Sequence, residues 1–271
     1  MDEKIIFLGV GGDFQVVGKQ EYCSGGIVVR TSGLQFHIDP GPGALTRARQ
    51  CGINVRETTA ILVSHAHLAH CNDVNALIAA CTHTGIDRTA VLVGSKSLIE
   101  PDEAGHSILT KFHQKCVERM ITVEPGKNIG INKVEIRATA TKHTDKSAVG
   151  FKMTTPSYTL SYSGDTEYFE GLSEEYKGSN ILILNVKDPF DRKSAGNLNA
   201  DDAVKIIQEV KPQFVIITHF GSKVVQEGPL QIARDIQRLT KVPVVAAKDG
   251  MVVNPMSHYQ GILQQGNVDY K

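Results

Sequence analysis

The chain has 271 residues, of which 41% are hydrophobic and 21% charged, a balance that supplies a sizeable core and excludes a disordered protein. Lysine plus arginine equals aspartate plus glutamate at 29 each, so no excess of positive charge is available to grip duplex DNA. Five scattered cysteines without a C-x-x-C pair exclude a disulfide framework and a cysteine zinc knuckle, and nowhere do about 18 apolar residues run uninterrupted.

The expectation is a soluble, cytoplasmic protein with one domain over 1–271. Strands are predicted at KIIFLG near residue 4, GGIVVR near 25, LQFHID near 34 and AILVS at 60–64, with a helix over 43–50 before the last. A helix over 73–84, the strand AVLVG near 90 and a helix over 108–118 follow. Next come strands at MITV, KVEIRAT, AVGFKMTT, YTLSYS and NILILNV, near 120, 133, 148, 158 and 180. The helix over 200–210 is well marked: Asn199 can cap it, Asp202 stands three residues on, Ala203, Val204, Ile206, Ile207 and Val210 recur at helical spacing, and Pro212 ends it. QFVIITH near 213, a helix over 228–240, VPVVAA near 242 and GMVV near 250 complete the chain. Strands in both halves with helices between them predict an α+β fold, two sheets face to face with helices outside.

The chemistry concentrates in SHAHLAH, residues 64–70. His65 and His67 alternate at the end of an apolar strand and can share a face, and His70 approaches from the following turn. Imidazole nitrogens brought together in this way suit zinc, iron or manganese. Taken singly, each could be a polar loop residue or a core histidine bonded to backbone. His143, Asp165 in SGDT and His219 in ITHFG each end a later apolar run, and Gly164 and Gly221 let the backbone approach closely there. These six are the candidate metal ligands. His83, His106, His113 and His258 lack such a context.

FLGVGG, IDPGPGAL, VSHAHLAH, the isolated His143, YSGDT and THFG, in this order, resemble the metallo-β-lactamase superfamily, and GGIVVRTSGLQFHIDPGPGAL with TLSYSGDTEYFEGL is most similar to its ribonuclease Z-like, phosphodiesterase-like branch. The resemblance implies an αββα four-layer sandwich and a hydrolase with two zinc ions, or manganese or iron, in which a metal-held hydroxide attacks a phosphodiester. It implies that His65, His67 and His143 bind one metal, that His70 and His219 bind the second, and that Asp165 bridges them. The implied partner is a small nucleotide or RNA-type phosphodiester, without duplex DNA or membrane, and a homodimer is compatible with it. Thioester, lactone or amide hydrolysis, or metal or ligand binding without turnover, is open to the same scaffold.

Two positions depart from the family pattern. Ala69 stands where H-x-H-x-D-H has an aspartate, which weakens the second metal position. Asn197, in SAGNLNADDA, stands where relatives often carry histidine; with Asp165 and His67 it is a candidate catalytic residue, yet an amide cannot transfer a proton near neutral pH. Asp39 reads as organising a turn or supporting the histidines. Lys187, Arg192 and Lys193 read as a solvated loop or a phosphate contact.

Overall fold

Two mixed sheets face each other in the computed structural model, which describes residues 3–257. In chain order the first sheet takes β1 (Lys4–Phe7), β2 (Ile27–Thr31), β3 (Leu34–Ile38), β4 (Thr58–Val63), β5 (Val91–Ser95) and β6 (Arg119–Val123). The second takes β7 (Asn128–Ile131), β8 (Val134–Ala140), β9 (Val149–Thr154), β10 (Thr159–Tyr162), β11 (Ile181–Asp188), β12 (Leu198–Asn199), β13 (Phe214–Thr218) and β14 (Val244–Ala246). β15 (Val252–Val253) returns to pair with β1. The sheet orders are β15-β1-β2-β3-β4-β5-β6 and β14-β13-β11-β10-β9-β8-β7, with β12 beside β11.

Local chemistry explains the joints. Ser32 and Gly33 both have positive φ, 53° and 80°, the two-residue turn whose twist matches the antiparallel hairpin of β2 and β3. The parallel pairs β3–β4 and β4–β5 cannot close so tightly, and the helices Ala44–Gln50 and Val74–Cys81 fall in their crossovers.

β4 shows how the layers form. Ala60 and Leu62 enter the core between the sheets, among Phe36, Ile38, Phe151 and Ile183. Ile61 and Val63 point the other way, onto Val74, Leu77 and Ile78 of the outer helix. On the far side, Ile206, Ile207, Ile232 and Ile236 of the helices Ala200–Val210 and Pro229–Thr240 cover the second sheet. The result is the αββα sandwich read from the sequence.

The Ala200–Val210 helix carries the full capping box, Asn199 with Asp202, and Pro229 opens the next long helix at its first turn. Two predicted helices are shorter than the sequence suggests. Val74–Cys81 stops before His83, Thr84 and Gly85, which all have positive φ, and Lys111–Cys116 starts only where the Thr110 side chain caps it. The helices Phe14–Gly18, Leu68–Cys71, Lys96–Ile99, Leu172–Tyr176 and Ser222–Glu227 run four to six residues, too short to declare a helical period. β7 and the two-residue β12 were equally silent in sequence, the first because Gly130 interrupts its pattern.

No described helix is long and apolar enough to cross a membrane. Cys23, Cys51, Cys71, Cys81 and Cys116 are all free thiols.

Candidate metal centre

β4, with parallel partners on both sides, runs buried into Ser64 and His65. At the end of the neighbouring β3, Asp39 takes a left-handed conformation with φ of 51°, which turns its carboxylate beneath the histidines. That carboxylate receives the Ser64 N–H at 2.7 Å on Oδ1, and the Ser64 hydroxyl at 2.7 Å, the Tyr162 hydroxyl at 2.7 Å and His70 Nδ1 at 2.8 Å on Oδ2. Burial would raise its pKa, but His70 and these donors outweigh burial and hold it below the usual carboxylate range.

The same network assigns the imidazole tautomers. The Ser64 hydroxyl gives its hydrogen to Asp39, so it accepts from His65 Nδ1 at 2.9 Å and leaves His65 Nε2 with a lone pair. His143 Nδ1 donates to the Gly196 carbonyl at 2.6 Å, which frees His143 Nε2 in the same way. Gly196 must be glycine, since it has φ of 73° and a Cβ there would lie 2.8 Å from His143 Nδ1.

The six predicted residues converge. His67 Nδ1 lies 2.9 Å from His65 Nε2 and 3.1 Å from His143 Nε2. His70 Nε2 lies 3.0 Å from His219 Nε2 and 3.3 Å from Asp165 Oδ2. Asp165 sits between the two halves, its Oδ2 3.9 Å from both His65 and His143 and its Oδ1 3.4 Å from His219. Ligand atoms of His65, His67 and His143 fall within 4.8 Å of one another, as do those of His65, His70 and Asp165. This donor set fits metal: lone pairs aimed at one another repel unless a cation lies among them, and histidines with their far nitrogens fixed by hydrogen bonds are the usual ligands.

Three supports were not legible in the sequence. Asn185, on β11, donates to Asp165 Oδ1 at 2.7 Å and to the Tyr162 hydroxyl at 3.1 Å; its signal was a lone polar residue inside an apolar strand. Asp145 accepts from the Ala66 N–H at 3.2 Å and the Ser97 hydroxyl at 2.5 Å, pinning the loop between His65 and His67. Gly12 packs so closely that a Cβ would stand 2.0 Å from the His219 carbonyl oxygen, and His219 itself has φ of 61°.

Ala69 lies on the short helix Leu68–Cys71 and lines a cavity of about 30 Å3 together with Asp39, His70, Tyr162, Asn185 and His219. Its carbonyl accepts from the Ser24 hydroxyl at 2.9 Å. Asn197 is buried, with its amide donating to the Ala195 carbonyl at 2.8 Å, one residue from the Gly196 that fixes His143. Lys193 pairs with Asp202 at 3.0 Å and Arg192 is exposed. His83 and His106 are exposed, His113 bonds Thr110 at 2.7 Å, and His258 lies outside the described residues.

Burial pushes His219 down to about 4. Burial also works against charge on His70, yet Asp165 and Asp39 on either side raise its pKa to about 10. A proton on His70 therefore stands in for positive charge, and metal binding must expel it. Below a pH of about 10, the affinity for metal at this half of the centre is expected to rise as pH rises, by up to about tenfold per unit, with one proton released to buffer. Calorimetric titration in buffers of different ionisation enthalpy measures that proton, and its absence would reject the arrangement.

A family model described as the Beta-lactamase superfamily domain matches residues 35–220. The chain is 32% identical over 255 residues to the uncharacterized protein MJ1374 of Methanocaldococcus jannaschii, covering 93% of this chain and 95% of that one. It is 22% identical over 291 residues to Ribonuclease Z of Methanopyrus kandleri, covering 93% and 99%. Its fold matches that of the metallo-beta-lactamase fold protein YhfI of Bacillus subtilis with a TM-score of 0.78 at 21% identity, covering 93% and 99%. The chain thus belongs to the metallo-β-lactamase superfamily.

Proposed function

We propose that the protein is a phosphodiesterase acting on a nucleotide or RNA-type substrate. Zinc, or manganese or iron in its place, would be held by His65, His67 and His143 at one position and by His70 and His219 at a second, with Asp165 shared. The observation that carries this reading is the convergence of four histidine Nε2 atoms and His67 Nδ1 around one buried carboxylate. The Ribonuclease Z relative, matched over 99% of its length, supports phosphorus over a carbonyl carbon as the reacting atom. When bound, the metals supply Lewis acidity and an activated water near neutral pH.

The chain's own residues do the rest. Asp39 fixes His70, and the Gly196 carbonyl fixes His143, so the ring faces are set before substrate arrives. Asp165 Oδ2, buried and ionised, can accept a hydrogen bond from the attacking water and orient it. His67 is the exposed member of the set and faces entering substrate. Asn197 can donate to a phosphoryl oxygen but cannot protonate the leaving group.

The test is turnover by the metal-loaded chain of bis(p-nitrophenyl) phosphate, p-nitrophenyl acetate and an acyl thioester. Phosphodiester hydrolysis that exceeds the other two and disappears on chelation is expected. A faster carbonyl reaction would replace the reading.

A further inference from the structure

Half-buried basic side chains need partners, because a cation withdrawn from water without compensation is costly. Among the described residues Arg30, Arg47 and Lys152 each donate hydrogen bonds, and Lys4 is also engaged. The ammonium of Lys187, equally half-buried, has neither a hydrogen bond nor an ion pair among the described residues.

Its place is informative. Lys187 stands two residues beyond Asn185 on β11, where the pairing with β12 shifts register between Val186 and Asp188, so its own contacts and not strand alternation place it. Asn185 itself reaches the metal centre, donating to Asp165 Oδ1 at 2.7 Å. On the adjoining β13, Thr218 pairs with Asn185 and leads directly into His219. The Lys187 carbonyl accepts from the Gly221 N–H at 3.1 Å, and a Cβ on Gly221 would stand 3.0 Å from Lys187 Cγ. The lysine stem therefore runs beside the glycine two residues after His219.

One carboxylate is close but occupied. Asp13 Oδ2 lies 3.3 Å from that same Cβ point, yet Asp13 Oδ1 caps the Phe14–Gly18 helix through the Val16 N–H at 2.9 Å, and Oδ2 receives the Ser222 N–H at 3.3 Å. Glycine at 221 also leaves the stem room to move, because a side chain there would crowd it.

The geometry points to Lys187 as a specificity-determining residue that binds a second, non-scissile phosphate of the substrate on the His219 side of the centre. Favoured substrates are then phosphodiesters that also carry a terminal phosphate monoester, as 5′-phosphorylated nucleotides do. The assignment rests on the phosphodiesterase reading. A charge-assisted hydrogen bond from an ammonium with no competing partner is the interaction that recognises such a group.

The test compares a thymidine dinucleotide with and without a 5′-terminal phosphate, using the metal-loaded full chain. A preference of roughly tenfold or more in kcat/KM for the phosphorylated form, residing in KM, is expected from one such bond. Lys187→Met should collapse the preference, and Lys187→Arg should keep most of it. Equal rates on both substrates for the unmodified chain would overturn the assignment, as would an equal loss on both in Lys187→Met.

Equilibrium titration with thymidine 5′-monophosphate and thymidine, with and without metal, separates the two ideas. If neither dinucleotide is cleaved, the phosphodiesterase reading fails. A monophosphate preference lost in Lys187→Met would still support the anion site, and no difference between chains would reject it.

Discussion

Ala69→Asp should raise phosphodiesterase kcat/KM by about 10² to 10³, the range commonly associated with one preorganised electrostatic group at a reacting centre. Ala69 lines a small cavity of about 30 Å3 beside His70 and His219, the two histidines that otherwise share only Asp165. Its backbone contacts, the Ser24 bond and the close approach of Gly41, involve only the carbonyl and survive the change. An acidic residue in the first turn of the Leu68–Cys71 helix is also favourable to the helix.

The cost falls on the metal-free state. A third carboxylate would join Asp39 and Asp165 around His70, and like charges at short range repel. The variant should melt lower than the parent without metal and gain more from zinc. Asn197→His, made alone and with Ala69→Asp, should show coupling, because a proton donor is useful only once the second metal is held. Metal content measured beside rates decides the matter. Two metals per chain with no gain in rate would show that the second position plays no part in turnover.

The candidate ligands were legible because they gather where apolar runs end. A histidine or aspartate within two residues of ILV, ATAT, LSYS or VIIT is where a sheet hands its chain to the rim, and the fold brings those rims together. The supports were illegible for a physical reason: their partners are distant in sequence. Asp39 before Pro40 reads equally as a turn or as a support of the histidines, and its bonds to Tyr162, 123 residues away, and to His70 decide for the support. Asn185 offers one clue, polarity inside ILILNV, but its partners come from β10 and the turn after it. Gly196 contributes a carbonyl, which every residue has, so its hold on His143 leaves no mark except the glycine itself. Lys187 looks like Arg192 and Lys193 in sequence because charges close together look alike; its place on β11 against Gly221 separates it from them.

Asp165→Asn is expected to abolish turnover, by about 10³ or more, because it strikes both halves of the centre together. Asp165 is the carboxylate within 4 Å of His65, His70, His143 and His219 alike. Asparagine is nearly isosteric, and its side-chain oxygen can still accept from Asn185, as Asp165 Oδ1 does now at 2.7 Å. That places the amide NH2 where Oδ2 was, donating toward histidine lone pairs that would otherwise face metal. The fold should therefore persist while the site becomes a hydrogen-bonded, metal-poor cluster. Loss of the neighbouring anion also lowers the His70 pKa, leaving Asp39 alone to favour its charge. Metal titration of the variant should then release less proton than titration of the parent at the same pH, even at concentrations high enough to force binding. Circular dichroism checks the fold, and metal analysis with kcat/KM checks the site. A folded variant with the parent's metal content, or with more than about a tenth of its activity, would remove Asp165 from the shared position and leave the two histidine groups to act separately.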